Sequence, residues 1–190
     1  MANHVYNYIT VTGTEEVEKV FNSIGETFTT QRESTNWEGK PITFTEFKPI
    51  EELEFMPEYD EEKWYDWYCE NVGAKWCHIE EWEGDYMNLC SAWSACTGFA
   101  ERLTTFLAET DPNVRVRHQY EDEFRNFIGV AVYEGLDADE ILFEELDDGD
   151  ITELFKHEHP EFDHDAEEMS GEMQEAYDDF IYDWFGSQNI

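Results

Sequence analysis

Apolar and polar positions alternate at the start of the chain. Over residues 4–12, Val5, Ile9 and Val11 share one side of a segment rich in Val, Tyr, Ile and Thr, which predicts a strand. Gly13 closes it. The period then changes. Val17, Val20, Phe21 and Ile24 recur at helical spacing up to Gly25, behind Thr14 as a cap and Glu15 and Glu16 in an acidic first turn. Residues 27–58 hold no sustained period, apart from a short strand expected at 41–47 between breaks, with Pro49 and Pro57 beyond it. A helix is expected over 60–71, with Trp64, Trp67 and Tyr68 on one side. Residues 75–82 and 86–93 read as strands joined by Glu83-Gly84-Asp85, a hairpin connection. A helix over 97–109 turns Phe99, Leu103, Phe106 and Leu107 inward and stops at Asp111-Pro112. Residues 114–120 alternate again, and the apolar run at 126–133 predicts a buried strand.

The order is therefore β-α-(insert)-β-β-α-β-β. Without the insert (about residues 27–72) and the last strand it is βαββαβ, an α+β ferredoxin-like antiparallel sheet with helices on one face. Beyond Gly135 the pattern predicts helix only. Ala138, Ile141, Leu142 and Leu146, then Ile151, Leu154 and Phe155, suggest two short amphipathic helices separated by Asp147-Asp148-Gly149-Asp150. A longer helical stripe follows in Ala166, Met169, Met173, Ala176, Phe180, Ile181 and Trp184. Glu167, Glu168, Glu172, Glu175, Asp178, Asp179 and Asp183 fill its other positions. The expected organisation is a ferredoxin-like domain at 1–134 and an acidic helical C-terminal appendage at 135–190.

Charge sharpens that division. The chain has 190 residues, with 47 Asp and Glu against 11 Lys and Arg, a formal net charge of −36. Residues 1–125 hold 26 acids and 10 bases, whereas 126–190 hold 21 acids and one base, Lys156. The last third is about twice as charge-dense as the rest. Such charge with few apolar residues would mean disorder. Here hydrophobic residues make up 41% and aromatics 16%, enough for a folded core under an acidic skin. That skin repels phosphates and anionic leaflets, so direct binding to nucleic acid or membrane is not expected, while basic grooves of DNA- or RNA-handling proteins are attracted. No apolar run is long enough for a membrane span and no basic leader precedes residue 13, so a cytoplasmic protein is expected.

Several motifs occur in a familiar order. Asn3 with Val11 and Gly13, Trp67 with Asn71-Val72-Gly73-Ala74-Lys75-Trp76, Ser91-Ala92-Trp93-Ser94, and Tyr120-Glu121-Asp122-Glu123 with Phe127 and Gly129 follow one another. Together they resemble the YubB-type ferredoxin-like family of phages and conjugative plasmids, over roughly residues 1–134. That family usually reads Asn-Trp-Gly-Thr-Lys-Trp and Thr-Ala-Trp-Ser-Pro-Pro in two of these stretches. This chain departs from it at Val72, Ala74, Ser91, Ala95 and Cys96. The resemblance implies a fold and a mobile-element origin and carries no catalytic residues. Trp67, Trp76 and Trp93 are expected in the core, Gly73 in a turn, and the Lys75 stem on an aromatic ring.

Catalytic chemistry finds little purchase. Cys69, Cys77, Cys90 and Cys96 lie at intervals that fit no ordinary structural zinc spacing. Cys77 and His78 would point to opposite faces of one strand, so they form no nucleophile–base pair. His157, His159 and His164 lie among Glu158, Glu161, Asp163 and Asp165, a set that could hold a transition metal for a hydrolase. Pro160 makes it a loop between helices, with Asp163 or Asp165 as the next helix cap. An EF-hand loop with Gly149 as its turn glycine would place Glu144, Leu146 and Asp148 at its first ligand positions, and Leu146 breaks the pattern. No cofactor, metal or catalytic residue is assigned.

The expected function is inhibition by DNA mimicry in the host cytoplasm. Carboxylates of Glu167, Glu168, Glu172, Glu175, Asp178, Asp179 and Asp183, with Asp147, Asp148 and Asp150, would occupy the groove of a basic nucleic-acid-binding host protein, such as a restriction or CRISPR nuclease. The alternatives are the metal-dependent hydrolase just described and an accessory phage protein whose acidity only confers solubility.

Overall fold

The computed structural model describes residues 3–164 and 169–188. Its centre is a six-stranded antiparallel sheet of order β4-β5-β1-β6-β7-β8. Strand β1 (His4–Thr12) lies between β5 (Tyr86–Ala92) and β6 (Arg115–Asp122), and β4 (Cys77–Glu83) lies outside β5. Beyond β6 come β7 (Phe127–Glu134) and β8 (Asp139–Asp147). A separate hairpin, β2 (Thr29–Thr35) and β3 (Pro41–Phe47), projects from the insert.

Alternation along the strands divides the core in two. Ile9 and Val11 of β1, Val116 of β6, and Ala131 and Tyr133 of β7 pack against Val17 and Phe21 of α1 (Glu15–Thr27) and Phe99, Leu103 and Leu107 of α3 (Thr97–Ala108). Trp67 and Tyr68 of α2 (Trp64–Asn71) complete that layer. Ile128, of opposite parity to Ala131, joins Ile151 and Phe155 of α4 (Asp148–Glu158) with Met173, Tyr177, Phe180, Ile181 and Phe185 of α5 (Gly171–Ser187). Helices therefore cover both faces of the sheet, not one. The reason lies in β7, whose run from Ile128 to Tyr133 is buried at both parities and so needs cover on both sides.

Two further expectations are corrected. Residues 139–147, expected to be helical, form β8, with Leu142 opposite Val132 and Leu146 opposite Ile128. Their apolar spacing suits either structure, and the unpaired edge of β7 decides for strand by accepting a full ladder. Exposed Glu140, Glu144 and Glu145 then line an edge that a neighbouring strand would otherwise extend. In the insert, β2 was hidden because Thr29–Thr35 is polar at nearly every position and almost wholly exposed. Its partner β3 holds it through the turn, where Asn36 Oδ1 accepts from the backbone N–H of Glu38 and Lys40 and Gly39 takes φ 77°.

Smaller signals hold. Gly73 has φ 91° in a turn, and Thr14 occupies the N-cap of α1, although its hydroxyl caps nothing and its own N–H instead donates to Asp111 Oδ2 at 3.1 Å. The cap of α5 is Ser170, whose hydroxyl accepts from Met173 N at 3.2 Å, rather than Asp163 or Asp165. Asp165, Ala166, Glu167 and Glu168 lie outside the described residues.

Candidate functional site

The acidic surface is built on the α4–α5 layer. Helix α5 turns Met173, Tyr177, Phe180, Ile181 and Phe185 onto the sheet, so Glu172, Glu175, Asp178, Asp179 and Asp183 are left exposed. Arg117 of β6 fixes the far end by donating to the carbonyl oxygens of Phe185, at 2.7 Å, and Gln188. Arg125 fixes the side: it pairs with Asp178 at 2.7 Å and lies 5.0 Å from the centre of the Tyr177 ring. Glu172, Glu175, Asp179 and Asp183 follow one another at steps of three and four residues. They form one ridge about 16 Å long, at 1.5 Å rise per residue. A DNA strand carries about five phosphates over that length. Four carboxylates come close to that density.

The other nominated acids divide by role. Asp147 caps α4, its Oδ1 accepting from Asp150 N at 3.0 Å. Asp148 sits on a cleft of about 470 Å³ between the α4–α5 layer and the sheet, with Tyr6, Glu121, Arg125 and Phe155. Glu121 in that cleft is pushed above the ordinary carboxylate range, chiefly by burial, with Arg125 opposing and Asp178 adding to the rise. Asp150 is exposed on the first turn of α4. Glu167 and Glu168 lie outside the described residues.

Among its described residues, the histidine-rich loop brings no three metal-ligating side chains together. His159 Nδ1 meets Glu161 at 3.2 Å, His164 Nε2 donates to the carbonyl of His159 at 2.8 Å, and both rings pack around Phe155. His157 is exposed on the last turn of α4. Among the described residues, the group of metal-ligating side chains that does converge is His78, Glu80 and Cys90. Cys77 and His78 do face opposite sides of β4, with Cys77 buried and His78 exposed. Cys90 is the neighbour that went unseen, because it stands opposite His78 only once the hairpin register is set.

A second arrangement missed in the sequence is a buried polar knot. Asn7 Nδ2 donates to the Val5 carbonyl at 2.8 Å and to Ser91 Oγ at 2.9 Å, while its Oδ1 accepts from Cys96 N at 3.0 Å. That acceptor role makes His118 Nε2, 2.9 Å away, a donor. The Cys96 sulfur lies 3.8 Å from the same nitrogen, and His118 Nδ1 has no hydrogen-bond partner among the described residues. Burial pushes the Cys96 thiol up, but the Cys77 thiol and the His118 ring outweigh it and bring it down to about 6. A cysteine, histidine and asparagine thus touch, yet all three are fully enclosed, so the knot braces β1, β6 and the start of α3.

Trp93 departs from the core position expected of it. It is 60% exposed with φ 75°, an unusual backbone state for a bulky residue, and Lys75 Nζ lies 6.0 Å from its ring centre. It rims a cleft of about 640 Å³ with Tyr120, Phe127, Tyr133 and Phe143. Trp67, by contrast, is buried, its indole N–H donating to the Glu58 carbonyl at 3.0 Å. No helix among the described residues is long and apolar enough to cross a membrane.

Comparison with protein-family models, curated proteins and solved structures returns no match for this chain.

Proposed function

We propose that the protein is an inhibitor that mimics DNA, acting in the cytoplasm of a host cell on a basic nucleic-acid-binding defence protein such as a restriction or CRISPR nuclease. The observation that carries this is the α5 ridge, four carboxylates at near-phosphate spacing on a helix whose opposite side is locked to the sheet. A rigid ridge keeps its affinity because no chain entropy is lost when a basic groove closes on it. Among the described residues, Lys19, Arg32, Lys40, Lys63 and Arg115 pair with carboxylates outside α5, and Arg125 pairs with Asp178, beside the ridge rather than on it.

The ferredoxin-like reading of residues 1–134 is part of the same proposal. It is supported by the βαββαβ connectivity through β1, α1, β4, β5, α3 and β6 and by the strand order β4-β5-β1-β6. Mobile-element origin rests on the motif resemblance, in which Gly73 and Gly129 occupy architectural positions here, Gly73 in its turn and Gly129 beneath the Tyr120 ring.

The test is competition. Labelled duplex DNA bound to a restriction endonuclease, and to a CRISPR effector nuclease, is titrated with the protein across a salt series. Displacement that weakens steeply with salt, and is lost in the triple variant Glu172→Lys, Glu175→Lys, Asp179→Lys, is expected. Displacement undiminished in that variant would exclude α5 as the mimic, and no displacement from either nuclease would overturn the proposal for those targets.

A further inference from the structure

Among the described residues, the α4–α5 layer packs on the sheet on its β6–β8 side. Over β4, β5 and β1 the same face leaves His78, Glu80 and Tyr8 exposed, and three potential ligands gather on it. His78 and Cys90 are direct cross-strand partners in the β4–β5 ladder. Glu80 follows His78 by two residues, where the register slips between Ile79 and Glu81. That bulge turns Glu80 and Glu81 together toward the open face, since Glu81 opposes Asn88 and accepts from its amide at 2.8 Å. Glu81 is thereby engaged. Glu80 is left with the imidazole, Nε2 to Oε1 at 3.6 Å.

We propose that His78, Glu80 and Cys90 bind one borderline-soft dication, zinc or a metal of similar preference, with a remaining coordination position open to solvent. The donor atoms all lie within 4.8 Å of one another. In a tetrahedral zinc site, bonds of about 2.0–2.3 Å place donors about 3.3–3.8 Å apart. Closing the set therefore asks for about 1 Å of adjustment. The exposed His78 and Glu80 side chains can make it by rotation, while Cys90 is held by burial. One nitrogen, one sulfur and one oxygen exclude magnesium and calcium, which take oxygen ligands, and suit zinc and its neighbours in the first transition row.

The surroundings favour an ion as well. Cys90 is enclosed, and the carboxylates of Glu80 and Glu123 stand near it, an acidic setting that a bound cation would neutralise. On binding, the thiol would release its proton to solvent as the sulfur–metal bond forms. The His78 ring stacks on Trp76 at 5.6 Å with the planes 23° apart, which restricts its orientation, and Tyr6 of β1 stands beside Cys90 in the ladder. The site is remote in sequence from the α5 ridge and does not depend on DNA mimicry.

The probe is cobalt(II), titrated into the full chain after chelator treatment. The expected result is a 1:1 complex with visible bands of tetrahedral cobalt and a near-ultraviolet thiolate-to-cobalt band, both displaced by zinc. Cys90→Ser should abolish the thiolate band, and His78→Gln or Glu80→Gln, surface changes that leave the core intact, should weaken binding at least about tenfold. A variant with His157→Ala and His159→Ala should bind as the parent does. Absence of a thiolate band in the parent would overturn the site, as would its persistence in a folded Cys90→Ser protein or undiminished affinity in both surface variants.

Discussion

Replacing Asn7 with alanine tests the buried knot most directly. The amide satisfies four groups at once, and the change leaves the Cys96 N–H without an alternative and the His118 Nε2–H with only the weak Cys96 sulfur acceptor at 3.8 Å. Ser91 keeps a partner, since its hydroxyl also donates to the Ser94 carbonyl at 2.7 Å. Each orphaned buried donor costs about 1–3 kcal/mol, and the void where the amide stood adds to that. A loss of about 3–5 kcal/mol follows, a large share of the roughly 5–15 kcal/mol that holds a domain together. At about 2–4 °C per kcal/mol for a chain of this size, Tm should fall by about 6–20 °C. Urea unfolding followed by tryptophan fluorescence reads the free energy, and differential scanning calorimetry reads Tm. His118→Leu, made alone and with Asn7→Ala, completes a double-mutant cycle whose coupling should exceed about 0.5 kcal/mol. A loss below about 1 kcal/mol, or no coupling, would refute the view that these residues act as one unit.

Two other perturbations test neighbouring claims. Gly129 faces Tyr120 across the β6–β7 ladder, and a Cβ there would come within 2.3 Å of Tyr120 Cζ, on a ring whose hydroxyl donates to Glu145 Oε2 at 2.8 Å. Gly129→Ala should therefore displace the ring and cost at least about 2 kcal/mol in urea unfolding, and an unchanged midpoint would show that the ring does not sit there. Because the Cys96 thiol is lowered from 9.0 to about 6, the stability it contributes is complete above pH 9 and lost as pH falls through 6. Cys96→Ser should remove that part of the pH profile along with the thiolate ultraviolet absorbance of the native protein at pH 7, and identical profiles would refute the lowered value.

How much of this was legible in the sequence follows from the range of the interactions involved. Strand β1, helices α1 and α3 and the β4–β5 hairpin announce themselves through periods of two and 3.6, because each buries a single face against a continuous core. Strand β8 did not, since Leu142 and Leu146 are as well placed on a helix as opposite Val132 and Ile128. What decided it was the free edge of β7, which supplies partners 10 and 18 residues from those two leucines. The run in β7 held a further signal that was read only as burial. Apolar residues at both parities require a second covering layer, and the amphipathic stripe of residues 169–184 was available to supply it. The α5 carboxylates could be placed on one side of a helix from spacing alone. The His78, Glu80 and Cys90 group could not, because it exists only when the hairpin register and the bulge at Glu80 are both known. Likewise Asn7, Ser91, Cys96 and His118 come from four separate segments and share no local pattern.

That α5 can carry its charge without detaching is a matter of magnitudes. Neighbouring carboxylates about 5–6 Å apart in water repel by about 0.7 kcal/mol per pair before salt screening. The three successive steps from Glu172 to Asp183 therefore cost about 2 kcal/mol. Against them stand five buried side chains, Met173, Tyr177, Phe180, Ile181 and Phe185, and burying a large apolar side chain contributes about 1.5–3 kcal/mol. The apolar side wins severalfold, even after ordering costs are subtracted. The ridge is thus held in place chiefly by the core, with Arg117 and Arg125 fixing the end and side of its helix. Its residual repulsion is relieved when positive charge arrives, and under the proposed mimicry that relief would favour a basic groove over water.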